Sequence, residues 1–345
     1  MNEILLPLVI VIFASFFQGT FGLGMKYIKP LAWEAWWLIY AFIAMIIFPW
    51  IWAFLVVPDL LGSIAAAPSG AIWSGMLFGF LWGVGGIMFG VSVRYVGVSL
   101  TYGIVMGLAA SVGSLVPLAQ MPDAGSNPAL PFVIIGVVVM LIGVALSAYA
   151  GVRRDQIQSP DGKEIAGIKQ GKAFRLGLGI VITSGVLSAL LNVGFANAIP
   201  VAKTAESMGA ITRNSSLAAW VVVLLGAFIM NAGYALILLF KNKTWNTYLT
   251  NNSARAYKWA ILTGLFWFGA LGVYGQGAAL MGDIGPVIGW PILLGLALII
   301  SNIWAVRAGE WKEASGPLKL MAFSVAILII ACIILGYSNS LIAKP

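Results

Sequence analysis

Glu34 stands in the stretch Trp33-Glu-Ala-Trp36-Trp37, at the mouth of a long apolar run. A carboxylate set among indoles has two uses. It can cap the first turn of a helix at the edge of a membrane, where the helix dipole favours its charge and tryptophans gather. It can also take up and release a proton, because burial against rings raises a carboxyl from its solution value of about 4.3. Lys26 and Lys29 lie close by in sequence and oppose that rise. Asp283, in a short loop beside Gly282 and Pro286, is the rival proton site, and its plainer role is that of a turn residue. Of the 11 acidic residues, most fall in polar stretches and none in the middle of an apolar run.

Amides do fall inside such runs: Gln18, Asn192, Asn197, Asn231, Gln276 and Asn302. An amide in hydrocarbon is expensive unless it meets a partner. The partner can be another helix, or it can be a hydroxyl-bearing ligand. Trp82, Tyr102, Trp267 and Tyr274 supply flat faces on which a ligand can rest, although each alone also serves as core or belt. Gln18, Asn192, Asn197, Gln276 and these four aromatics are therefore the candidate substrate-binding residues. Arg94 ends an apolar run, as a snorkelling anchor or as an inner-gate partner for Glu34.

Other chemistries are excluded. The chain has no histidine and a single cysteine, Cys332, so it offers neither an intrachain disulfide nor a His or Cys metal centre. No metal or other cofactor is expected. No Ser–His pair or acidic metal motif suggests an enzyme. The net charge of +8 does not point to nucleic acid, because the basic residues sit between the apolar runs. Their plainer reading is topological.

The elements that must position these groups are membrane spans. The chain has 345 residues, 61% hydrophobic and 9% charged. Its apolar blocks run about 20 residues, the length that crosses a hydrocarbon core. They predict an all-α membrane protein of ten helices, at about 4–24, 35–57, 71–93, 98–119, 131–151, 175–198, 215–240, 258–281, 285–306 and 318–338. The first block lacks a basic leader and reads as a retained helix rather than a signal peptide. Every basic residue except Lys203, Arg213 and Lys344 lies after an odd-numbered span. The positive-inside rule then puts those loops in the cytoplasm and both termini outside it.

The halves echo each other. At one constant offset Trp82 falls on Trp267, Phe89 on Tyr274, Gly90 on Gly275 and Gly97 on Gly282. A weaker echo pairs Gln18 with Asn192, and would set them face to face across a central cavity. An odd number of spans per half inverts the second copy, the arrangement found in secondary transporters with a site at the membrane midplane. The division expected is a first five-helix repeat at 1–151, a cytoplasmic linker at 152–174 and a second repeat at 175–345. Pro49, Pro117 and Pro200 offer hinges for rocking one repeat against the other.

"WEAWW", "FPW" and above all "FGFLWGVGGIMFGVSVRYVGVSLTYGIVMGL" (78–108) resemble the L-rhamnose–proton symporter family of the drug/metabolite transporter superfamily. The resemblance is strongest from about 26 to 117 and returns at Glu310–Trp311. It implies ten helices in two inverted repeats, a bacterial inner membrane, and uptake of a 6-deoxy sugar, L-rhamnose, with a proton. The residues alone leave a second reading open, a facilitator or exporter of another small metabolite with no coupling ion.

Overall fold

The computed structural model describes residues 5–122, 124–158, 171–251 and 253–341. Among them all regular structure is helical, and ten helices are long and apolar enough to cross a membrane. They are α1 (Leu5–Tyr27), α2 (Trp33–Val56), α3 (Ser69–Val96), α4 (Val98–Gln120) and α5 (Leu130–Gln158), then α6 (Gly171–Ser207), α7 (Thr212–Asn242), α8 (Ala254–Leu280), α9 (Gly282–Arg307) and α10 (Ser315–Ser340). Large apolar side chains such as Phe13, Leu55, Trp73, Phe240 and Ile333 stand exposed on the outer faces, as lipid contact requires. Of the expected linker, 159–170 with Lys163 and Lys169 lies outside the described residues, as does Lys344.

The prolines are absorbed in different ways. Pro49 cannot donate to the preceding turn, and α2 widens to a π-turn over Ile43–Ile47 just before it. Pro117 leaves α4 continuous. In α6 the first helix ends at Asn197, and Pro200 opens an extension, Ile199–Ser207, that the apolar pattern did not predict. A short helix, Leu60–Ala66, also escaped it; Asp59 caps this helix by accepting from the Gly62 amide at 3.1 Å.

The packing repeats itself. α3 lies along α6, as α8 lies along α1. α4 packs on α6 as α9 packs on α1, and α3 on α7 as α8 on α2, while α5 pairs with α10 and α4 with α9. Exchanging each helix in these pairs for the one five places away reproduces the set, which is the pattern two inverted five-helix repeats would produce. Small residues permit the closest approach: a Cβ on Gly226 of α7 would collide with the Met76 carbonyl of α3.

Two ends are distinct. At one, Lys26 pairs with Glu310 at 2.9 Å, Arg154 approaches the same carboxylate at 3.6 Å, and Gln158 donates to the Glu310 carbonyl. The exits of α1, α5 and α9 therefore meet there, at what we call the basic end. At the far end Asn197 donates to Gln120, and Lys203 pairs with Asp283.

Candidate functional site

α8 carries the centre. Trp267 and Tyr274 lie two helical turns apart, so they share its inward face. Both are buried. The ring of Trp82, from α3, stacks on Trp267 with centroids 5.4 Å apart and planes 27° from parallel. Tyr40 of α2 meets Trp267 edge-on at 6.1 Å, and Trp37 lies 4.9 Å from Tyr40. The Trp37 indole donates to Oδ1 of Asn231 at 3.0 Å. Asn231 in turn donates to its own helix at Ala227. Tyr40 and Trp37 extend the expected aromatic walls, and contact with Trp267, direct for Tyr40 and through Tyr40 for Trp37, marks them out. Their sequence context is that of any membrane helix.

Toward the far end the axis is filled. Asn192 is wholly buried, and its Nδ2 donates to the carbonyls of Gly113 at 2.8 Å and Pro286 at 2.9 Å, while its Oδ1 accepts from the Tyr274 hydroxyl. Phe195 stacks on Trp220 at 4.4 Å, and Tyr274 lies 5.5 Å from Trp290. The Trp290 indole donates to the Ala109 carbonyl, and Ser114 to that of Val287. These contacts tie α4 to α9 and close the far half with rings.

Gln18 makes no hydrogen bond to Asn192, whose amide is taken up by Gly113, Pro286 and Tyr274. It continues the buried face of α1 formed by Val11, Ala14 and Ser15. Its Oε1 is buried without a hydrogen-bond partner among the described residues. The adjoining Gly19 abuts Ala297 and Ile300 of α9. Tyr102 lies beside Ser301 in the next turn of α9, so Gln18 and Tyr102 border one stretch of that helix. The orphan acceptor of Gln18 thus has what Asn192 lacks, an unfilled hydrogen-bonding position.

The remaining candidates lie toward the ends. Asn197 also bonds the Val193 carbonyl, and Gln276 donates to Asn214 at 3.2 Å. Asp283 is exposed, and its pair with Lys203 is a surface contact of small energy. Beside it a cavity of about 160 Å³ is lined by Phe195, Glu206, Ser216 and Pro286, among others. Arg94 is exposed at the end of α3.

Glu34 lies toward the basic end and is buried. Its Oε1 accepts from Asn242 Nδ2 at 2.9 Å and from Thr244 Oγ1 at 2.7 Å. These neutral donors, at the exit of α7, occupy the place expected for a cation. Lys26 leans instead on Glu310, and Arg94 is not a partner. The tryptophans also face elsewhere: Trp33 stacks on Trp37, and Trp36 on Tyr40. Tyr248 donates to the Ala35 carbonyl at 3.0 Å. Burial first, then the nearby Tyr257 and Glu34, push the Tyr248 phenol up to about 12, so it remains a donor.

A family profile described as L-rhamnose-proton symport protein (RhaT) matches residues 1–340. The chain belongs to the L-rhamnose–proton symport protein family. Curated relatives agree across nearly the whole length. The L-rhamnose-proton symporter of Yersinia pestis (strain Pestoides F) is 24% identical over 344 residues, 97% of this chain and 98% of that protein. That of Pectobacterium atrosepticum is 25% identical over 343 residues, covering 96% and 98%. One solved chain superposes with a TM-score of 0.52 at 13% identity, over 94% of this chain and 96% of its own. That likeness concerns the fold alone. Family membership and ten apolar helices make the protein a multi-pass membrane protein of the symporter class.

Proposed function

We propose that this protein imports L-rhamnose, a 6-deoxy sugar, together with a proton, by alternating access across a bacterial inner membrane. The observation that carries the reading is the Trp82–Trp267 stack at the centre of a chain of this family, with the orphan Gln18 acceptor inside the same bundle. A deoxy sugar offers a methyl and an apolar ring face to indoles, and hydroxyls to amides. Trp82 and Trp267 are assigned the ring face, Tyr102 and Gln18 the hydroxyls, and Glu34 the proton. Asp283 is the second carboxylate to test. Asn192, Asn197, Gln276 and Tyr274 act on the substrate less directly, since their hydrogen bonds are taken up within the protein.

The basic end is the cytoplasmic one on this reading, and both termini face outward. Repeats 1–151 and 175–345 rock about the centre, joined by the linker at 152–174. The test is L-rhamnose uptake into proteoliposomes holding the purified protein. Sugar added outside is expected to alkalinise the medium, and an inward proton gradient to drive accumulation. A Glu34→Gln variant is expected to lose both while still exchanging labelled for unlabelled sugar. Saturable L-rhamnose entry in the wild type with no proton movement would replace the symport reading with an uncoupled facilitator, which the lack of a carboxylate near mid-span favours.

A further inference from the structure

We propose that Asn242 and Thr244 are positioning residues for the coupling carboxylate, and that Glu34 seated between them is a latch that holds the basic end shut and loosens on protonation. The proposal rests on the symport reading above and adds the means by which the proton acts on the fold.

The latch is built from both halves of the chain. Glu34 opens α2, in the first half, and Asn242 and Thr244 flank the end of α7, in the second. Between the two donors Lys243 turns left-handed, with φ at 55°. That conformation is unusual for a residue with a side chain and ends the helix abruptly. It brings both neighbours to one oxygen, since Asn242 and Thr244 each donate to Oε1 of Glu34. Around this seat Thr247 Oγ1 lies 3.4 Å from the Ala32 amide, Tyr248 holds the Ala35 carbonyl, and Tyr27 stacks on Trp259 at 4.5 Å. The first turn of α2 is thus fastened by hydrogen bonds to the exit of α7 and the turn that follows it, beside the contact of α1 with α8.

Protonation changes the strongest of them. A hydrogen bond to a carboxylate is about twice as strong as one to a neutral acceptor. A proton arriving on Oε2 converts Oε1 into a neutral carbonyl oxygen. Both donated bonds survive in kind and weaken together, so the two halves separate more easily at this end. No cation among the described residues pairs with the carboxylate. Lys26 is engaged with Glu310, and Arg255 of α8 lies over the Tyr27 ring. The other titratable or charged groups of the packed elements toward this end are Lys29 before α2, Tyr234, Lys241 and Lys243 in and at the end of α7, Tyr248 in the following turn, and Tyr257 and Lys258 of α8; none of these forms an ion pair with Glu34 among the described residues. Tyr248 and Tyr257 use their hydroxyls on the backbone, at Ala35 and at Tyr248 itself.

The test measures L-rhamnose uptake against external pH in the wild type, Asn242→Ala, Thr244→Val, Thr244→Ser and the Asn242→Ala/Thr244→Val double variant. Removing donors destabilises the ionised carboxylate, so the pH of half-maximal uptake is expected to rise, by about one unit in the double variant. Thr244→Ser keeps the hydroxyl and is expected to keep the wild-type midpoint. The midpoint does not depend on how much protein folds, and the single variants serve if the double one is not recovered. Lower uptake at an unmoved midpoint in Thr244→Val and Asn242→Ala would reduce the seat to a structural tie and overturn the proposal. A wild type that moves no protons with the sugar would overturn the symport reading instead, a result read before any variant is made.

Discussion

The Tyr274 hydroxyl donates to Oδ1 of Asn192 across 2.6 Å, and the same Asn192 reaches the carbonyls of Gly113 and Pro286. One buried amide thereby joins α4, α6, α8 and α9. An amide used in this way holds the fold, and its removal strands several polar groups at once.

Asn192→Ala is therefore expected to destabilise the protein by several kcal/mol, since each buried group left unpaired costs about 1–3 kcal/mol. Tyr274→Phe strands one acceptor and is expected to cost about 1–3 kcal/mol. Thermal unfolding in detergent orders the two. A Tyr274→Phe protein less stable than Asn192→Ala would mean that the hydroxyl, and not the amide, is the centre of the node.

The central rings should behave differently. Trp82 is only partly buried, and Gln18 Oε1 has no bond to lose. Trp82→Ala is expected to weaken L-rhamnose binding about tenfold or more, equal to about 1.4 kcal/mol. Trp82→Phe should retain much of it, and Gln18→Leu should impair binding while leaving the unfolding temperature near that of the wild type. Isothermal titration on purified protein reads Trp82→Ala and Gln18→Leu, with Trp82→Phe as the conservative control. Unchanged affinity in each would move the sugar elsewhere.

Orientation is open to direct labelling. Ser207 and Lys312 are both exposed, at the far and basic ends. In a chain with Cys332→Ser, a cysteine at 207 is expected to react with a membrane-impermeant thiol reagent added to intact cells, and one at 312 only after permeabilisation. The reverse pattern would invert the topology.

The ten spans were legible because each is a long apolar block closed by turn residues, and the bilayer demands both. Where several solutions suit the bilayer, the pattern runs out. The α6 extension past Ala198 is amphipathic rather than apolar, so it read as loop. The site was legible by residue type and not by partner. Trp82 and Trp267 lie together as their repeat positions suggested. Lys26, eight residues from Glu34, chose a carboxylate near the other end of the chain, because side-chain reach follows the bundle and not the sequence. The partners of Asn192 are mostly backbone carbonyls, which leave no mark in a string of side chains.

The ring-filled far half has an electrical consequence. A membrane potential falls most steeply where the medium polarises least, and Phe195, Trp220, Tyr274 and Trp290 make such a layer. In the proposed orientation Glu34, beyond it at the basic end, then stands at close to cytoplasmic potential. Carrying one elementary charge through the whole field is worth about 2.3 kcal/mol per 100 mV. On the proposed cycle that work is done as the proton passes the Tyr274 layer, before it reaches the carboxylate. Voltage would then set how fast the carrier turns over, and external pH how readily its latch lets go.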